Sequence, residues 1–268
     1  MPGLTMEDTI KVAEDTWLLP TPFPFPGLGI FYVNTLVIKG AEPVLVDTGA
    51  PVFRQQYLER AFSLVDPEDV RWIYLSHDDR DHSGNLMQVL EMCPNARLIT
   101  NFVGIGRMGE EWELPLHRVR IANNGDRFDV GDRELVAIRP PFFDSPATRG
   151  LWDARTGLYF SADAFGAVVP DSCTEARDVA PEAYRDGFFW FNRANHPWHV
   201  LTDPDKIKAE VDVIRRLDPR VIVSTHGPAA HGISGELCDM LASVSTMEEL
   251  PLPDQAAIEA LLAGAPAA

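Results

Sequence analysis

Apolar residues along the chain fall into short runs bounded by polar or glycine-containing turns, and these runs predict strands over Thr16–Leu19, Ile30–Lys39, Arg97–Thr100 and Arg133–Ile138. Val44-Leu45-Val46 reads as a buried strand ending in the turn Asp47-Thr48-Gly49, and Trp72-Ile73-Tyr74-Leu75 as another apolar strand. Apolar positions spaced by three and four predict helices over Val52–Ser63, Ile207–Leu217, Gly235–Val244 and Pro253–Leu262, the last running into an Ala-rich end. A further helical stretch, Leu86-Met87-Val89-Leu90, follows Ser83 as its candidate N-cap.

One loop departs from this plain alternation. Directly after Trp72–Leu75, residues His77 to His82 place two imidazoles and three carboxylates in six consecutive positions. Two carboxylates about 4 Å apart repel by roughly 4 kcal/mol at an effective dielectric near 20. A solvated turn that splays its side chains into water meets that repulsion, and composition alone favours it. The order of residues points elsewhere: His77, Asp79 and Asp81 alternate along an extended chain and can face one way, while His82 follows as a turn begins. Neutral imidazole and ionised carboxylate are donors that divalent first-row metals accept, so the spacing predicts a metal-binding loop between a strand end and a helix start.

His77-x-Asp79-x-Asp81-His82 resembles the H-x-H-x-D-H motif of the metallo-β-lactamase superfamily, with Asp79 where the second histidine usually stands. Flavodiiron proteins and their flavodoxin-free relatives, the oxygen-binding diiron proteins, carry a carboxylate there, so the departure leans toward that branch. Further elements follow in family order. Val44–Gly49 is similar to the strand-plus-DTG element whose carboxylate, here Asp47, orients metal ligands from behind. Gly157–Gly166 resembles the strand that delivers a metal-bridging carboxylate, here Asp163. Val221–Pro228 resembles the last strand, whose terminal histidine is here His226. The family's third histidine is missing, since no histidine lies between His117 and His196. Aligned back from Asp163, the stretch Asp144–Asp153 places Asp144 in that slot; an alternative register puts Pro141 there and leaves the first metal one ligand short.

The resemblance implies a four-layer αβ/βα sandwich and two metal ions. The first would be held by His77, Asp79, Asp144 and the shared Asp163, and the second by Asp81, His82, His226 and Asp163. Four carboxylates make a harder donor set than the histidine-dominated sites of zinc hydrolases, which favours iron, with manganese or zinc as alternatives. Residues from about 9 to 230 carry the resemblance, and helices over about 233–263 complete an expected single domain. A length of 268 residues leaves no room for a full flavodoxin domain with its FMN after the lactamase-like one. Electrons would come from a separate flavoprotein or rubredoxin-like partner, and head-to-tail pairing into a homodimer is implied by the resemblance alone.

Charge and composition narrow the function further. A net charge of -17 argues against nonspecific nucleic-acid binding and lowers the nuclease branch of the superfamily. Cys93, Cys173 and Cys238 are widely spaced and form no paired ligand pattern. Neither a signal segment nor an apolar run of membrane-spanning length is evident, so a cytoplasmic location without membrane attachment is expected. The aromatic segment Phe188–His199 reads either as a connection packed on the core and leading to a helix start at Asp203-Pro204, or as an apolar lid that brings His196 or His199 to the metals. Two function classes remain. A diiron protein would bind or reduce oxygen or nitric oxide, with a redox or oxygen sensor as its non-turnover variant; a metallo-hydrolase would attack an ester, lactone or thioester with metal-bound hydroxide.

Overall fold

The computed structural model describes residues 4–25 and 27–264. Two large sheets pack face to face, and in both the spatial order of strands follows the chain. The seven-stranded sheet runs Ile10–Ala13, Thr16–Leu19, Thr35–Ile38, Val44–Val46, Trp72–Tyr74, Arg97–Thr100, Val119–Ile121. The six-stranded sheet runs Arg127–Asp129, Glu134–Ile138, Gly150–Asp153, Leu158–Phe160, Val221–Val223, Ala230–His231.

Strand alternation builds the layers. Leu36, Ile38, Val44, Val46 and Tyr74 meet Leu135, Leu151, Leu158, Phe160 and Val223 in the core between the sheets. The intervening Val37, Leu45, Ile73 and Leu98 turn the other way, under the helices Arg54–Leu64 and Leu86–Met92. On the far side, Val136, Trp152, Tyr159 and Ile222 lie under the helices Pro181–Asn195, Pro204–Leu217 and Ser234–Val244. The result is the expected four-layer αβ/βα sandwich. No helix among the described residues is long and apolar enough to cross a membrane.

Three local expectations are corrected. The strand expected over Ile30–Lys39 breaks at Val33-Asn34, because the buried Asn34 amide donates to Ser224 O at 3.1 Å and Gly227 O at 2.7 Å. Its first half, Gly29–Tyr32, pairs instead with Pro22–Phe25 in a separate hairpin. Ser83 is not an N-cap; it ends the short helix Arg80–Ser83, and its hydroxyl donates back to Asp78 O and Asp79 O. Most of the aromatic connection is helical, Pro181–Asn195, started by a proline in its first turn. The predicted late helices are present as Pro204–Leu217, capped by Asp203, then Ser234–Val244 and Gln255–Gly264. The end of the Ala-rich stretch lies outside the described residues.

Gly187 allows the helix Pro181–Asn195 to lie against the segment after Asp163. A Cβ there would stand 1.8 Å from Val168 O. Gly187→Ala is therefore expected to lower stability by about 1–3 kcal/mol despite alanine's better helix propensity, measured as a shift in the denaturation midpoint.

Candidate metal centre

Parallel pairing brings the chemistry to one edge. Val46 stands beside Tyr74 in register, so Asp47 and the Ser76-His77 segment leave the first sheet side by side. Phe160 stands beside Val223 in the second sheet, so Asp163 and His226 also leave together. Asp144 arrives on the loop between Glu134–Ile138 and Gly150–Asp153. The exits are sharp: Asp47, Ala162 and Phe165 all hold left-handed backbone, at φ 57°, 51° and 64°. Such strain, about 1–3 kcal/mol per residue, persists where surrounding contacts impose it and concentrates at functional sites.

Seven side chains converge there. His77, Asp79 and Asp144 form one close group, and Asp81, His82 and His226 another. Asp163 Oδ1 lies between them, 3.9 Å from His77 Nε2, 3.1 Å from His82 Nε2 and 3.3 Å from His226 Nε2. Asp144 Oδ2 is 3.5 Å from His77 Nε2, and Asp81 Oδ2 is 3.4 Å and 3.5 Å from His82 and His226. The expected single-face alternation of the loop is corrected in one respect. The helix Arg80–Ser83 groups Asp81 with His82 and His226 and not with His77 and Asp79, while the His82 ring stays beside that of His77, centroids 3.8 Å apart.

Proximity here is not hydrogen bonding. His77 Nε2, His82 Nε2 and Asp163 Oδ1 are buried and lack an aligned hydrogen-bond partner. Buried polar atoms are ordinarily satisfied, and donor atoms that lie within 4.8 Å of one another in each group without bonding each other fit a cation there. The residues present therefore fit two metal ions.

Partners behind the imidazoles set which nitrogen faces inward. His82 Nδ1 lies 2.8 Å from Asp47 Oδ2, and His226 Nδ1 donates to Tyr32 O at 2.7 Å. On the neutral ring each Nε2 is then left with its lone pair for a metal. Asp47 also accepts from Ser76 N at 2.7 Å and from Ser76 Oγ at 2.8 Å, which anchors the start of the acidic loop. The Phe31 ring stacks on His226 at 4.3 Å.

Charge in the cluster is reciprocal. Burial would raise Asp163, yet the imidazoles of His226, His77 and His82 outweigh it and hold the carboxyl well below its usual range. Burial would likewise raise Asp144, and its contacts with His77 and Thr148 bring it down to about 2. Asp79 is raised instead, by burial and by Asp144 beside it. Burial would lower His77, His82 and His226, but the facing carboxylates raise all three. In the protein alone, protons on the imidazoles thus do what cations would do. A raised imidazole contributes stability that is full below its ordinary value of 6.5 and lost as pH climbs through the folded value; the lowered carboxylates contribute above 3.8 and lose it in acid. Metal-free protein is expected to melt highest between these limits and to lose stability on the alkaline side, whereas added metal should restore it there. Melting curves across pH with chelator and with metal check this.

The other sequence candidates separate. His196 is fully buried and held neutral by burial; its Nδ1 donates to Asn192 O at 3.0 Å, Nε2 has no partner, and Asp163 and Asp144 are among the charges acting on it. His199 is acted on by Arg193 and Glu249 on the side of the C-terminal helices, and the structure does not bring it to the cluster. Sequence reasoning assigned no role to Asn34, Ser76, Arg107 or Asn195. Arg107 donates from Nε to Asp78 at 2.6 Å and from Nη2 to Asp79 at 3.3 Å, and Asn195 donates to Asp163 Oδ2 at 3.0 Å. An asparagine inside the apolar run around Asn34 was the one available signal, since a buried amide must find partners. Beside the second group lies a cavity of about 450 Å³, lined by Phe23, Phe25, Phe31, Trp190 and Phe191, to which, among the described residues, Asp81 adds a carboxylate and Asn195 an amide.

A family model described as ODP family beta lactamase matches residues 31–227. Putative diflavin flavoprotein A 1 of Thermosynechococcus vestitus is 33% identical over 200 residues, covering 73% of this chain and 33% of that protein. The anaerobic nitric oxide reductase flavorubredoxin of Salmonella typhi is 25% identical over 134 residues, covering 50% and 28%. The chain spans about a third of the length of the diflavin flavoproteins it matches. Among solved structures, rubredoxin oxygen:oxidoreductase from Desulfovibrio gigas superposes with a TM-score of 0.75 at 18% identity, over 89% of this chain and 60% of the other, a likeness of fold. With its fold that of flavodiiron lactamase-like cores and the family model matched across both halves of the sandwich, the chain belongs to the ODP family of beta lactamases.

Proposed function

We propose that this chain holds two iron ions and binds or reduces oxygen or nitric oxide with electrons delivered from a flavoprotein or rubredoxin-like donor outside these residues. His77, Asp79 and Asp144 would hold the first ion, Asp81, His82 and His226 the second, and Asp163 both. The observation that carries this reading is the position of Asp163 Oδ1, between 3.1 and 3.9 Å from three imidazole nitrogens and aligned with none of them. One carboxylate oxygen serves both groups.

Two features favour the redox reading over hydrolysis. The donor set is richer in carboxylate than in imidazole, which suits iron better than zinc. The described residues around Asp81 and Asn195 are mostly aromatic or aliphatic, so a small, weakly polar molecule enters this approach more readily than a charged ester. Bound iron would supply the electron transfer. The protein's part is to hold the imidazoles in one tautomer, keep water from the apolar side, and offer the bare His196 Nε2 as a proton acceptor near the carboxylates. Rubredoxin oxygen:oxidoreductase and nitric oxide reductase are the names borne by two similar proteins, which supports the same choice. We take residues 1–268 as one lactamase-like unit, its core at about 9–230 with helices over about 233–263 packed on it.

Metal analysis of protein purified without added metal, with its visible spectrum, tests the proposal. Two irons per chain and reoxidation of the ferrous form by oxygen or nitric oxide are expected; stoichiometric zinc with esterase or lactonase turnover would overturn it. Asp144→Ala is expected to empty the first position while the second stays filled, lowering bound metal from two to one per chain. Unchanged occupancy would instead favour the Pro141 register.

A further inference from the structure

The end of one helix is fastened to the segment that carries the shared carboxylate. Along Pro181–Asn195, Gly187 O accepts from Val168 N at 3.4 Å, Asn192 Nδ2 donates to Gly166 O at 2.9 Å, and Asn195 Nδ2 donates to Asp163 Oδ2 at 3.0 Å. Asn192 is fully buried, bonds its own helix at Phe188 O at 2.8 Å, and receives His196 Nδ1 on its carbonyl. The absence of a Cβ at Gly187 and at Gly166, where one would stand 2.5 Å from the Phe191 ring, lets helix and segment approach this closely. Three fastenings in antiparallel order leave the Asn195 amide little freedom to point elsewhere.

The two oxygens of Asp163 consequently have different surroundings. Oδ2 is engaged by the Asn195 amide, while Oδ1 faces the imidazoles of both groups without an aligned partner. We propose that Asn195 is a positioning residue, which turns Asp163 so that one oxygen is presented to both metal positions and thereby makes the pair bind as a unit. This role rests on the two-metal reading. An amide donor costs the centre no charge, unlike a lysine or arginine at the same place, which would compete with a cation for the carboxylate. Outer hydrogen-bond partners of metal ligands commonly contribute about 10–100-fold in metal affinity.

The test uses Mn(II) alone as probe, with calorimetric titration for the affinity of each equivalent and electron paramagnetic resonance for exchange coupling between the two ions. Asn195→Ala removes the amide, Asn195→Leu removes it while keeping its bulk, and Asn195→Gln retains it on a longer arm. Wild-type protein is expected to take up two equivalents with a coupled signal. Both the Ala and Leu variants should bind the second equivalent about 10–100-fold more weakly and show uncoupled manganese. The Gln variant should recover much of the affinity. Coupled binding at wild-type affinity in the Ala or Leu variant overturns the proposal, and so does a Gln variant as weak as Leu, because then the amide is not the cause. Failure of the wild-type protein itself to bind two equivalents would overturn the two-metal reading instead.

Discussion

Asp163→Ala is expected to abolish the binding of both metal ions, taking bound metal from two per chain to none at concentrations that saturate the wild-type protein. Asp79 and Asp144 group with His77, and Asp81 and His226 group with His82, whereas Asp163 Oδ1 reaches His77 on one side and His82 and His226 on the other. Its loss removes one donor from each position and one negative charge from both. It also leaves the Nε2 atoms of His77 and His82, whose ring centroids are 3.8 Å apart, without the carboxylate oxygen that both face. Either ion brought to such a site would face a neighbouring cation with less intervening negative charge, so the two losses reinforce each other. Elemental analysis of purified protein and calorimetric titration check the outcome. One retained equivalent would show that Asp163 serves a single position. Comparison with Asp144→Ala separates the shared ligand from an unshared one.

The layers of the fold were legible because strand alternation is a local property. Leu36 and Ile38 against Val37, or Val44 and Val46 against Leu45, show a strand buried on both faces, and that pattern requires cover on both sides. The site was legible where its residues are close in sequence, as in His77–His82, and elsewhere only through resemblance. Nothing local marks Asp144: a single carboxylate in a proline-containing loop resembles any surface turn until its contact with His77 is seen. Asn195 was unreadable for the same reason, and Asn34 showed only that a polar residue interrupts an apolar run, not what it meets. Asn34 meets Ser224 and Gly227 across 190 and 193 residues of chain, and no spacing rule spans that distance. The helix Pro181–Asn195 was obscured by its own composition, since aromatic residues follow one another at Phe188–Phe191 and blur the helical period.

Asp47→Asn is expected to leave the fold intact and yet weaken the second metal position by about 10–100-fold. Asp47 is fully buried and accepts from Ser76 N through Oδ1, while Oδ2 faces His82 Nδ1 and Ser76 Oγ. An asparagine of the same shape keeps the acceptor toward Ser76 N and replaces Oδ2 with an NH₂ donor. His82 Nδ1 must then accept rather than donate, which moves the ring proton to Nε2. In the metal-free protein that proton faces Asp163 Oδ1 at 3.1 Å and Asp81 Oδ2 at 3.4 Å, while His82 loses the Asp47 charge that helps to raise it, so a modest loss of stability is expected. For the metal it removes the lone pair that would bind, so affinity is lost without a cavity, a clash or an unsatisfied backbone group. The substitution therefore separates tautomer control from packing in a way that Asp47→Ala would not, since alanine also strips Ser76 N and His82 Nδ1 of their acceptor. A folded metal-free variant that melts only modestly below wild type, together with loss of the equivalent held by Asp81, His82 and His226, is the expected result. Wild-type metal affinity in Asp47→Asn would show that Asp47 serves the fold and not the ligand.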